Sequence, residues 1–333
     1  MKKKIKFLSI IIATLFLTVS FIGCQNKDNS NKNATSSNEI RVGCIKAIGT
    51  VTPFVAEQEK FFEKAGVKVK VLEFADGSSL AEAYAAGEVD VAVMGIAPTA
   101  TWYEKGVDLQ VIAGANGGGH VLLVRSDSGI NSVKDLKGKV IAEPGVGTVT
   151  DTLLRDYILK NSQIDPEKDV TIQSGMKPAD MATSLYITKE VDAIITWEPY
   201  VTQAQEQFGN DVKILYDSGA EIKKATGSST FYPVNVVSAK KEFIENHSEE
   251  LKKFISVYKE TVDFINNDES ADKVIGEILQ LDENVIKSSK ARVDFNYNID
   301  EEGLSTTLIW AKDLGYLDSI PDSKEFYNYE FLK

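Results

Sequence analysis

The sequence predicts an α/β fold of two lobes, with a hinge and a cleft between them. Three observations carry this prediction. Fully apolar strand-like segments alternate with helical ones, which is the pattern of parallel sheets covered by helices. A two-part motif occurs twice at nearly the same offset. Two further strand-like runs stand where the chain would pass from one lobe to the other and back.

The chain has 333 residues, 43% of them hydrophobic, enough for one large domain or two medium ones with real cores. Its formal charge is −12. The first 23 residues hold four lysines and no acid, so the remainder carries −16. An acidic surface argues against nucleic acid as partner, because phosphate binding wants clustered Lys and Arg. A small anion needs only a few local donors.

The first element, residues 1–23, is a targeting segment. Its basic start (Lys2, Lys3, Lys4, Lys6) leads into an apolar run over residues 7–22, short for a spanning helix and suited to a signal peptide. The run ends in Gly23-Cys24, which resembles a bacterial lipobox with Phe21 at the usual Leu position. That resemblance implies lipidation of Cys24 and a lipid-anchored protein on the outer face of the cytoplasmic membrane. Residues 24–38, "CQNKDNSNKNATSSN", cannot bury a core and read as a flexible tether. The other cysteine, Cys44, then has no disulfide partner and is expected as a buried core residue of the first strand.

The repeat comes next. "GTVT" occurs at residues 49–52 and 147–150. A single four-letter repeat is expected about once in a chain this long, so its setting matters. The first copy follows "IRVGCIKAI" and precedes "PFVAEQEKFFEKAG"; the second follows "GKVIAEP" and precedes "DTLLRDYILKN". Each is thus a turn between a strand and a helix. Further on, "LAEAYAAGEVDVAVMGIAP" (80–98) matches "ATSLYITKEVDAIITWEP" (182–199). Each unit therefore reads strand, "GTVT" turn, helix, strand, helix, "EVD" strand, proline. Asp90 and Asp192, at the starts of those strands, are expected to bond to neighbouring turns.

"GGGHVLLVRSD" (117–127) suits a crossing from lobe one to lobe two, and "STFYPVNVVSAKKEF" (229–243) a crossing back. Helical patterns follow to the end and would complete lobe one. The expected division is 39–122 plus 236–333 for lobe one and 123–235 for lobe two. Two crossings make a hinge, and a ligand would sit between the lobes.

Together the lipobox, "GEVDVAVMGIAP" (87–98), "DLKGKVIAEPGVGT" (135–148) and "EVDAIITWEPY" (190–200) resemble the solute-binding proteins of ABC importers. The similar branch serves aliphatic sulfonates, taurine, nitrate and bicarbonate, and thiamine-pyrimidine precursors. The resemblance runs over residues 40–317. It implies the type II-like periplasmic-binding-protein fold, a monomer that closes on its solute, and delivery to the transmembrane subunits of a permease. The expected solute is a small organic anion or zwitterion, an aliphatic sulfonate or taurine first. Nitrate, bicarbonate and a pyrimidine precursor are the alternatives. Enzymes that make a pyrimidine precursor share this resemblance, but the export signal and the lack of a His/Cys cluster weigh against catalysis.

Ligands of such sheets gather beyond the carboxyl ends of the strands, where helices begin. Gly49, Thr50 and Val51 in lobe one, and Gly147, Thr148, Val149 and Thr150 in lobe two, are therefore the leading candidates. Glycine allows close approach, Thr hydroxyls donate, and helix starts offer free N–H groups. The plain alternative is two ordinary capped helix starts. Ser78 or Ser79 either caps the next helix or also faces the cleft. Gly95 and Ala97 lie at the end of the "EVD" strand of lobe one; Trp197 and Glu198 hold the matching place in lobe two. Glu198 either pairs with a nitrogen of the solute or forms a salt bridge at the lobe surface. Asn116, in "GANGGGH", is a further candidate contact, and His120 falls in the hinge.

"GVGTVT" lacks the Lys-Ser/Thr of a P-loop and the third Gly of a dinucleotide fingerprint. The two histidines, His120 and His247, are far apart and without Cys partners, so no metal is expected, and no cofactor.

Overall fold

The computed structural model describes residues 39–333; the signal peptide, Cys24 and the tether expected at 1–38 lie outside the described residues. The chain first lays down β1 (Glu39–Ile45), β2 (Lys68–Phe74), β3 (Val91–Gly95) and β4 (Leu109–Gly118). It passes into a second sheet with β5 (His120–Arg125), β6 (Val140–Glu143), β7 (Thr171–Ser174), β8 (Ala193–Trp197) and β9 (Val212–Asp217). It returns with β10 (Pro233–Lys240) and later adds β11 (Val293–Phe295).

The two sheets have one plan. The first runs β11-β4-β10-β3-β1-β2 and the second β7-β6-β8-β5-β9. Setting β11 aside and reading both from the β2 or β7 edge, β1 and β6 are second, β3 and β8 third, and a crossing strand is fourth in each. The repeated units β1–β2–β3 and β6–β7–β8 are parallel, as their helical connections require. The parallel pairing expected holds within these units, while the sheets as wholes are mixed. β10 is antiparallel to β3 and β5 to β8, because each crossing strand starts at the cleft end, where its neighbours finish.

The first changeover also falls earlier than expected. β4 ends at Gly118 and β5 already pairs in the second sheet at His120, so 120–122 belong with the second sheet rather than the first. Gly118 and Gly119 between them have φ of +70° and +89°, a left-handed turn that glycine adopts without a Cβ penalty. The return strand pairs in the first sheet from Pro233, three residues before the expected 236.

The two "EVD" acids do the same work in each lobe. Asp90 accepts the N–H of Arg41 in β1 while its own N–H goes to the Arg41 carbonyl. Asp192 does the same with Val140 in β6. Each acid thereby ties the strand it begins to the neighbouring strand. The Arg41 side chain adds an ion pair to Asp90.

Burial follows the apolar pattern. One core lies beneath the first sheet, where Leu251, Phe254 and Tyr258 of the Ser248–Asn267 helix share a buried cluster with Ile40 and Val42 of β1. Cys44 is a free, fully buried thiol there, and burial pushes its pKa up. A second core joins both lobes. The Glu301–Asp313 helix packs on the helix that starts at Val149, with Trp310 5.1 Å from Tyr157. The C-terminal helices therefore brace lobe two as well as completing lobe one.

Candidate solute-binding cleft

A cavity of about 120 Å³ lies between the sheets, and residues of both lobes line it. β1 and β3 end at it from one lobe, and β8 from the other. The crossing strands β4, β5 and β10 form its floor.

The first "GTVT" turn enters as a short 3-10 turn, Ile48–Thr50. Gly49 and Thr50 line the cavity. A Cβ on Gly49 would sit 2.6 Å from the Asn116 amide nitrogen, so only glycine fits this close approach. Val51 does not face the cavity; it is fully buried in the core of lobe one.

The second turn is more elaborate. Thr148 caps the helix by accepting the Asp151 N–H, and Asp151 accepts the Gly147 N–H in return. This is a capping box shifted by one residue. Arg155 pairs with Asp151, which is fully buried, and so fixes the box from behind. Thr148, Val149 and Thr150 line the cavity, whereas Gly147 is spent on the turn itself.

The hydroxyls correct a simple expectation. Thr50 donates its proton to the Ile45 carbonyl at 2.6 Å, and Thr148 to that of Gly145 at 2.8 Å. Neither proton is available to an anion. The donors left at the cavity are different ones. The first helical bond runs from Thr152 N to Thr148 O, so the N–H groups of Val149 and Thr150 have no partner within the helix. The Thr150 hydroxyl has no protein partner among the described residues. The Asn116 amide accepts from Asn235 at 2.6 Å, and its own NH₂ lies beside Gly49 with no hydrogen-bond partner among the described residues.

The other expected positions divide. Gly95 lines the cavity, and a Cβ there would meet Val149 of the opposite lobe at 3.3 Å, so the lobes touch at this point. Ala97 points into the core shared by the lobes and is fully buried. Ser78 is exposed, and Ser79 is held by Asp76, which accepts the Ser79 N–H and caps the helix. Gly77, not either serine, reaches the cavity. Trp197 and Glu198 both line it.

Glu198 is 1% exposed and its carboxylate is fully engaged. It accepts the Thr202 N–H and hydroxyl, both at 3.1 Å, and pairs with Arg292 at 2.8 Å. Arg292 also reaches Asp217 at 3.2 Å. Arg292 precedes β11 of the first sheet, whereas Glu198 follows β8 and Asp217 ends β9 of the second, so this triad spans the hinge. Among the described residues, no Lys or Arg lines the cavity itself.

His120, expected only in the hinge, also lines the cavity, as do Asn235 and Val293. Burial lowers the His120 pKa to about 4, the Gly118 backbone offsetting this in part, so its ring is neutral at pH 7. Asn235 had a signal in the sequence: it lies in the return crossing, which mirrors the run containing His120. Val293 had none, being a lone apolar residue in a helical region. No group of three His, Cys, Asp or Glu placed to hold a metal occurs among the described residues.

Residues 50–271 match the model of the family described as NMT1/THI5 like. This chain belongs to that family. A Bacillus subtilis (strain 168) protein named for binding aliphatic sulfonates is 30% identical over 293 residues, 85% of this chain and 81% of that protein. Among solved structures, the periplasmic aliphatic sulphonate binding protein SsuA from Escherichia coli superposes with a TM-score of 0.71 at 21% identity, over 86% of this chain and 91% of that one. The periplasmic nitrate-binding protein NrtA from Synechocystis PCC 6803 gives 0.73 at 16%, over 89% and 87%. This NMT1/THI5-like chain shares with both the two-lobe periplasmic-binding-protein fold.

Proposed function

We propose that this protein is the extracytoplasmic solute receptor of an ABC importer, and that it binds a small organic anion, an aliphatic sulfonate, in the cleft. The observation that carries the reading is the pairing of two helix starts, one per lobe, around a single cavity. The acid group of the solute meets the free N–H groups of Val149 and Thr150, the Thr150 hydroxyl and the Asn116 amide. The organic part meets Ile45, Val234, Val293 and Trp197. Those apolar walls favour a sulfonate over nitrate or bicarbonate, which have no apolar part to bury. The name of the Bacillus subtilis relative supports the same class.

Solute bridging the turns favours the state in which the lobes touch, and the permease reads that state. The protein acts as a monomeric receptor without catalysis. Cys24 carries the lipid anchor and residues 25–38 are the tether. A thermal-shift screen of alkanesulfonates, nitrate, bicarbonate and aminopyrimidines tests the reading, since a ligand of the folded state raises its stability. Alkanesulfonates are expected to shift the transition. A shift with nitrate or a pyrimidine alone, or turnover of a pyrimidine precursor, would replace it.

A further inference from the structure

Three buried hydrogen bonds determine which nitrogen of His120 carries its proton. The Ser218 hydroxyl donates to the His120 carbonyl, which can only accept. That uses the single Ser218 proton, so the 3.1 Å contact with Tyr232 is a hydrogen bond only with the phenol as donor. The Tyr232 proton is then used in turn, and its oxygen must accept from His120 Nδ1 at 2.8 Å. His120, Ser218 and Tyr232 are all buried, so no water competes for these bonds. The neutral ring therefore holds its proton on Nδ1 and leaves Nε2 bare. The two ring nitrogens point in nearly opposite directions. Nδ1 faces Tyr232, outside the cavity lining, while the ring itself lines the cavity beside Trp197. The ring hydrogen bond found among the described residues is that of Nδ1 with Tyr232, and the Gly118 backbone also acts on the ring.

The neighbouring charges have a matching sign. Glu198, which lines the cavity, shares the Arg292 guanidinium with Asp217, two carboxylates to one cation. Both oxygens of Glu198 are already taken, so the triad supplies a negative field rather than a free acceptor. The free acceptor in that field is His120 Nε2.

We infer that His120 is a specificity-determining residue, whose bare Nε2 accepts a hydrogen bond from an ammonium or hydroxyl group on the tail of the solute. The preferred solute is then an aminoalkyl or hydroxyalkyl sulfonate, lying with its acid at Thr150 and its donor at His120. Tyr232 and Ser218 are positioning residues that hold the tautomer. This rests on the sulfonate reading above.

The test compares 2-aminoethanesulfonate with ethanesulfonate by isothermal titration calorimetry on the full-length protein. A hydrogen bond to a charged group predicts a preference of about tenfold or more for the amino compound. His120→Phe should bring the ratio of the two affinities towards one. Ser218→Ala should reduce it too: the freed Tyr232 proton can then be donated to Nδ1, which moves the His120 proton to Nε2. A purely structural role for Ser218 would lower both affinities together and leave the ratio in place. An unchanged ratio in both variants, or no preference in the wild type, overturns the inference. If neither sulfonate binds, the proposed class is lost. The ring ¹⁵N shifts of His120 then decide separately, because an Nε2–H tautomer in the wild type overturns the inference for any solute.

Discussion

Arg292, ahead of the last strand of the first lobe, pairs at 2.8 Å with Glu198 at the cleft end of the second. The carboxylate is fully buried and the guanidinium partly so. Removing one partner of such a pair leaves an uncompensated charge, which costs more than the pair contributes. Arg292→Ala is expected to destabilise by about 3 kcal/mol in urea denaturation. Adding Glu198→Gln should recover part of that loss. If the double variant is no more stable than Arg292→Ala, the two residues are not coupled.

Asp90 and Asp192 make equivalent bonds in separate sheets and share no partner. Asp90→Ala and Asp192→Ala should each cost about 1–2 kcal/mol, and the double variant should cost their sum to within about 0.5 kcal/mol. A strongly non-additive double variant would show that the lobes are energetically coupled through these strands.

Thr150 offers the cavity a hydroxyl with no partner among the described residues, and Thr150→Val keeps its shape. Solute affinity should fall roughly fivefold to tenfold with little change in melting temperature. Gly49→Ala should act differently, by pushing a Cβ against Asn116, and should weaken binding by about tenfold or more. Calorimetry on both variants separates a lost donor from a displaced one; wild-type affinity in either would remove that position from the site.

Two buried groups give stability opposite slopes with pH. His120 is neutral in the fold down to about 4, against an ordinary value of 6.5. Between those values the unfolded chain takes up a proton that the fold refuses. Stability should therefore drop by about 3 kcal/mol as pH falls from 6.5 to 4. Glu143 is the reverse case. Burial raises its pKa above the ordinary 4.5, and one of its oxygens has no hydrogen-bond partner. The fold holds this proton more tightly than the unfolded chain, so ionisation costs stability as pH rises past 4.5. Glu143→Gln should thus gain on the wild type from pH 4.5 upwards. A stability difference independent of pH would show that Glu143 does not titrate differently in the fold.

The repeated strand–turn–helix units were legible in the sequence, because strands and helix starts are set by local periodicity and turn chemistry. So was the meeting of Gly49 and Thr50 with Thr148, Val149 and Thr150 at one cleft, because parallel βα units put every helix start at the same edge of the sheet. The functions of individual atoms were not. That Thr50 and Thr148 turn their protons to carbonyls depends on where Ile45 O and Gly145 O lie after the turns close. That Asp76 rather than Ser78 or Ser79 caps its helix depends on the helix starting at Gly77, which brings the Ser79 N–H to the Asp76 carboxylate.

By itself, then, the sequence determined the two-lobe α/β architecture, its internal symmetry and the sheet edge at which the cavity lies. Only the tertiary structure decided which residues line that cavity. Asn235 and Val293 reach the cavity from the return strand and the last strand, and Arg292 reaches Glu198 across the hinge. The His120 tautomer depends on a chain of protons through Tyr232 and Ser218, about a hundred residues further along. Contacts between such distant segments depend on strand register and lobe packing, and no local pattern encodes them.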